Sequence, residues 1–133
     1  MNVFSGHISD IKVSKSLSIV SVKLDEHNLL KTILLETPET ASHLKKGNQI
    51  TVLFKETEVI ISTEENTLIS IENKIKATIK NIEKGALLSK VILESSIGEI
   101  VALITSEILD ELSLEKDQKV VAMIKVNEIM LSR

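Results

Sequence analysis

Part of this chain is written twice. Val52-Leu53-Phe54-Lys55-Glu56-Thr57-Glu58-Val59-Ile60-Ile61-Ser62 returns seventy positions later as Ala122-Met123-Ile124-Lys125-Val126-Asn127-Glu128-Ile129-Met130-Leu131-Ser132. A repeated unit of roughly 65 residues points to two copies of one small domain, each too short to bury a large core alone. Lys55 and Lys125 occupy the same place in both copies.

The duplication extends to the start of the chain. Asn2, Ile8, Ile11 and Ser18 stand 71 positions before Asn73, Ile79, Ile82 and Ser89, whereas Leu44, Lys55, Glu58 and Ser62 stand 70 before Leu114, Lys125, Glu128 and Ser132. One residue is therefore missing from the second copy. A hairpin tip tolerates such a loss, and Asp25 to Asn28 against Ser96 to Gly98 is the simplest place for it. The polar run Thr63-Glu64-Glu65-Asn66-Thr67 reads as a linker, which divides the chain into domains 1–63 and 69–133.

Alternation dominates over any helical period. Leu17 and Ile19, then Val20, Val22 and Leu24, alternate with polar residues and shift phase once, which predicts a β-bulge there. Ile100-Val101-Ala102-Leu103-Ile104 has no polar position, so it is expected to be covered on both faces, one of them by a neighbouring subunit. Each copy has room for one short helix. Ser106-Glu107-Ile108-Leu109 opens with a hydroxyl cap candidate, and Thr37-Pro38-Glu39 places proline at a first helical position. Three strands, a short helix and two strands per copy predict an all-β chain of two tandem OB-like five-stranded barrels, each with one short helix.

An OB-type barrel raises nucleic acid binding, and the composition argues against it. Two Phe, no Tyr, no Trp and a net charge of −3 supply neither stacking platforms nor a basic groove. Enzyme chemistry finds no support either. His7, His27 and His43 lie at no spacing that completes a ligand set or a nucleophile–base pair, and the four glycines are isolated. With no cysteine there is no disulfide and no thiolate metal site. No apolar run is long enough to span a membrane and the first residues do not read as a secretion signal, so a soluble cytoplasmic protein is expected.

The second copy then reads as an ordered motif: Ser70-Ile71-Glu72-Asn73, Ile82-Glu83-Lys84-Gly85-Ala86, Ile104-Thr105-Ser106 and Ile124-Lys125. This resembles the molybdate-binding domain of the molbindins, the Mop or TOBE-type domain, with its Ser-Ala-Arg-Asn segment, Gly-Ala turn, Ile-Thr before the helix and late Ile-Lys. Residues 69–133 match throughout, and residues 1–63 match as a degenerate copy. The resemblance implies a non-catalytic protein that binds molybdate, and tungstate with it, for storage, homeostasis or sensing. It further implies a trimer of di-domain chains with oxyanion pockets between subunits, no organic cofactor and no direct metal ligands.

A tetrahedral dianion needs fixed N–H and O–H donors and a cation, with carboxylates kept away. The oxyanion-binding residues the resemblance implies are Ser70, Asn73, Thr105, Ser106, Lys125 and Lys55. Each has a plainer reading. In it the lysines are the solvated ends of outer strands, Thr105 and Ser106 helix caps, Ser70 a linker residue and Asn73 a fixer of its strand. Three departures from the pattern predict fewer or weaker sites. Glu72 stands where the motif has arginine, Leu35 stands where the second copy has Thr105, and Pro38 removes a helix N–H donor.

Overall fold

The computed structural model describes residues 1–133. In the first repeat, β1 (Asn2–Ser14), β2 (Leu17–Lys23) and β3 (Leu29–Leu34) are followed by β4 (Gln49–Phe54) and a short β5 (Ile60–Ser62). The second repeat gives β6 (Asn73–Lys84), β7 (Leu88–Ser95), β8 (Gly98–Thr105), α1 (Ser106–Glu111), β9 (Lys119–Ile124) and β10 (Met130–Ser132). Period-two burial explains the strands. Along β6, Asn73, Ile75, Ala77 and Ile79 turn inward while Lys74, Lys76 and Lys80 face water.

The sheets do not follow the repeats. One sheet has the order β10-β4-β1-β2-β3 and the other β5-β9-β6-β7-β8, so each repeat lends its last strand to the other sheet. Met130 pairs with Leu53 in one exchange and Ile60 with Met123 in the other. A single 3-10 turn, residues 56–58 or 126–128, carries the chain across after Lys55 or Lys125, and buried Val59 or Ile129 pins the crossing. One apolar cluster of 24 buried residues then runs through both barrels. Pulling the barrels apart would break strand pairs as well as core contacts.

Both long strands carry a bulge, but in a place the alternation did not indicate. The register slips between Ile8 and Asp10 in β1 and between Ile79 and Asn81 in β6, whereas β2 buries Ser18, Val20 and Val22 in unbroken phase. Leu17 and Ile19 are simply outer-face residues, 37% exposed. Between the equivalent pairs Lys23–Leu29 and Glu94–Glu99 the hairpin tips span residues 24–28 and 95–98, the one-residue difference that the repeat offset requires.

Only the second repeat forms the expected helix. After β3 the chain makes a turn instead, with Thr40 and Ala41 both donating their N–H to the Thr37 carbonyl. Thr37 N–H donates to Thr40 Oγ1, and that hydroxyl returns a bond to the Thr37 carbonyl. Such side-chain bonds offer the backbone an alternative to helix, and Thr and Ser are weak helix formers that do not oppose it. No helix of the chain is long and apolar enough to cross a membrane.

Candidate functional site

Two seams join the sheets, and an asparagine sits in each. Asn73, 1% exposed, donates from Nδ2 to the Lys31 carbonyl at 2.9 Å and accepts the Lys31 N–H at Oδ1 at 2.7 Å. Asn2 makes the same pair of bonds with Val101, at 2.9 and 2.8 Å. A side-chain amide presents one donor and one acceptor in the geometry of a peptide, so it extends the pairing of β3 or β8 by one rung. The buried amide of Asn73 is thereby engaged, as the strand-fixing reading expected.

Lys125 adjoins the first seam. Asn73 is paired with Ile124 across β6 and β9, and the turn after Lys125 packs against β3. Thr32 on β3 donates its buried hydroxyl to the Ile129 carbonyl at 2.6 Å. Lys55 holds the equivalent place at the second seam, next to Phe54, which pairs with Asn2. Both lysines are exposed, and neither has a carboxylate within ion-pair distance. Their charge is uncommitted. Ser70 is exposed just before β6, where Ile71 covers Val121 and Met123.

Thr105 and Ser106 lie elsewhere. Thr105 pairs with Leu88, beside the Lys84 end of β6, while Lys125 stands at the Asn73 end. The twelve residues of β6 separate them, on the order of 35–40 Å of chain contour. Within one chain, Thr105 shares β8 with Val101 and so belongs to the Lys55 seam. The second-copy residues grouped by the motif are therefore not gathered in a single pocket of one chain.

Ser106 is also occupied. It is buried, donates its hydroxyl to the Gly85 carbonyl at 2.7 Å and shares a 2.7 Å bond with Ser89, while its N–H donates to the Leu87 carbonyl. Ser106 locks the end of the β6–β7 hairpin onto α1. The helix cap is Thr105, one residue earlier than expected, whose Oγ1 accepts the Ile108 N–H at 3.2 Å. Thr105 remains exposed, with a hydroxyl proton still to give.

Sequence reasoning missed two contacts. Lys31 reaches Glu72, with Nζ 3.3 Å from Oε2, and no repeat pattern signals it because Val101 stands at the matching place. The two hairpin tips also meet. Ser96 donates to Asp25 Oδ2 at 2.6 Å and accepts from Asn28 Nδ2 at 2.8 Å. The Ser96 hydroxyl, opposed in part by desolvation and helped by the His27 and Asn28 N–H groups and the Asn28 amide, holds the Asp25 carboxyl below its ordinary value.

Two surface cavities offer little to an anion. One of about 540 Å³ between the linker and the outer face of β6 sets three carboxylates, Glu64, Glu65 and Glu94, against two lysines, Lys76 and Lys119. The other, about 460 Å³, is lined by His27, Asn28, Lys74, Lys76 and Ser96. Its lysines are already bound, Lys76 to Glu65 at 2.7 Å and Lys74 to the Thr67 carbonyl at 3.0 Å.

Comparison with known proteins agrees with the fold. Residues 69–131 match the TOBE domain family. The molybdenum transport protein ModE of Herbaspirillum seropedicae is 26% identical over 98% of the chain, and the chain spans about half the length (49%) of that relative. The cytoplasmic molybdate-binding protein ModG, solved with molybdate bound, superposes with a TM-score of 0.90 at 28% identity, covering 98% of this chain and 94% of its own. A molybdate-binding protein from Sporomusa ovata is 34% identical over 50% of this chain and all of its own, with a TM-score of 0.49. The second repeat is thus a TOBE domain, and the chain as a whole, with both OB-like barrels laid out as in ModG, is similar to the molbindin (Mop), TOBE-type proteins in their tandem form.

Proposed function

We propose that this chain binds molybdate, and tungstate with it, as an intact oxyanion that it stores, buffers or senses in the cytoplasm without turning it over. One observation carries the reading: Lys125 and Lys55 directly follow β9 and β4 beside the two seams with no carboxylate within ion-pair distance, in a chain that shares the fold of a molybdate-binding protein. The donors suffice. Micromolar binding is about −8 kcal/mol, and charge-assisted hydrogen bonds contribute about 1.5–3 kcal/mol each, so four or five converging groups meet the need. Tungstate has nearly the size and charge of molybdate, while the smaller sulfate would leave donors unsatisfied.

The pocket forms between chains in this reading. Lys125 and Thr105 stand at opposite ends of β6, so one oxyanion reaches both only if a second copy contributes one of them. Val101, Leu103 and Ile104 on β8 are half-buried in the single chain, which leaves apolar surface for a neighbour. A trimer of di-domain chains, with repeats 1–63 and 69–133 as the duplicated units, supplies this arrangement. Neither nucleic acid nor membrane enters as a partner.

Titration calorimetry with molybdate in the presence of excess sulfate, combined with light scattering, tests the proposal. Saturable heat and a trimer mass are expected. No heat and no thermal shift at millimolar molybdate would overturn it. That outcome would favour a structural or regulatory module of the same fold that has lost the oxyanion, a reading that the Lys31–Glu72 contact supports by placing a carboxylate beside the Lys125 seam.

A further inference from the structure

The two seams share their asparagine clamp and their lysine but differ in one charged pair. On β3 the clamped residue is Lys31, whereas on β8 it is Val101. Asn73 holds the backbone of Lys31 in place, and the side chain bends to Glu72, the residue before the clamp, at 3.3 Å. The residue on the opposite strand at this point is Lys125, one step past the Asn73–Ile124 pair, and the turn that follows it lies against β3. Lys31, Glu72 and Lys125 thus branch from adjoining backbone positions at one seam.

Resting on the oxyanion reading above, we propose that Lys31 is the second cation of the Lys125 site and that Glu72 is its resident counter-ion, which a tetrahedral dianion displaces. The first repeat repairs the charge that Glu72 removes from the second. Two lysines against a dianion give neutrality, and the backbone clamp fixes where the Lys31 stem leaves β3. Displacement is easy because the pair is exposed, with side-chain exposures of 39% and 60%, and exposed ion pairs contribute little to stability. Val101 cannot do the same at the other seam, where the charged pair is the Met1 ammonium with Glu56 at 3.3 Å, so the two seams are unequal: the Lys125 seam takes the dianion with two lysines, and the Lys55 seam has one.

Titration of the full chain with sodium molybdate at fixed ionic strength, for the wild type, Lys31→Gln, Glu72→Gln and the double variant, tests this. Lys31→Gln is expected to weaken binding by roughly tenfold or more, the loss of one charge-assisted bond. Glu72→Gln should tighten it by roughly threefold to tenfold, in keeping with a weak competing pair. On the Lys31→Gln background, Glu72→Gln should change binding much less. Lys12→Gln, an exposed lysine of β1 with no ion pair, corrects for overall charge. Molybdate binding that Lys31→Gln leaves within the Lys12→Gln control overturns this inference while keeping the oxyanion reading. Binding absent from both the wild type and Glu72→Gln overturns both. Binding that appears only in Glu72→Gln also overturns both, because the dianion then does not displace Glu72 in the natural chain.

Discussion

Where the third strand of each repeat ends, the second repeat has Thr105-Ser106 and the first has Leu35-Glu36. Behind that point both repeats bury a serine, Ser89 and Ser18, each with 0% exposure. Ser89 shares a hydrogen bond with Ser106, but Ser18 Oγ has no partner because Glu36 turns to solvent. The same backbone is thus held by a polar lock on one side and by packing on the other. The duplicated fold stands in both copies, but only the second has the lock and the helix.

The seams test how far the two halves still share the load. Asn73→Ala should destabilise by about 2–4 kcal/mol in denaturant unfolding, because it strips two hydrogen bonds and strands the buried Lys31 backbone groups. Asn2→Ala should cost a similar amount. A loss confined to one of them would break the symmetry that the paired clamps imply.

The serines should separate the halves. Ser106→Ala is expected to cost about 1–3 kcal/mol, since the Gly85 carbonyl and the Ser89 hydroxyl lose their partner inside the barrel. Ser18→Ala removes an oxygen that bonds to nothing, so it should be neutral or stabilising by up to about 1 kcal/mol. Equal destabilisation by both would mean that Ser18 is satisfied after all.

The smallest effect is expected at the hairpin tips, where the comparison turns on pH. Asp25 is held below its ordinary value of 3.8 by Ser96 and the surrounding N–H groups, so its link to the second sheet is fully present above that value. The contribution is lost as pH falls below 3.8 through the depressed value. Melting curves between pH 6 and 3 should fall more steeply for the wild type than for Asp25→Asn, and parallel curves would remove Asp25 from the account.

Much of the fold was legible in the sequence. Alternation located the strands, the repeat offset located the shortened loop, and Asn73 was already readable as a strand fixer. The helix after β3 was misread because Pro38 fits a helix start as well as a turn, and only the Thr37–Thr40 bonds decide between them. The bulge was misplaced because Leu17 and Ile19 are apolar residues on an outer face, which periodicity alone counts as inward. Ser106 looked like a ligand donor because a hydroxyl before a helix serves a cap, a core lock or an anion with the same atoms.

Composition and repetition by themselves determined two small β-barrels with a lysine after the fourth strand of each, since local alternation and duplication are written in neighbouring residues. Tertiary structure alone decided that β5 and β10 change places, that Asn73 faces Lys31 and that Lys125 and Thr105 stand apart. Those pairings join residues far apart along the chain, and they are chosen by which edge a three-residue strand can reach across the shared core.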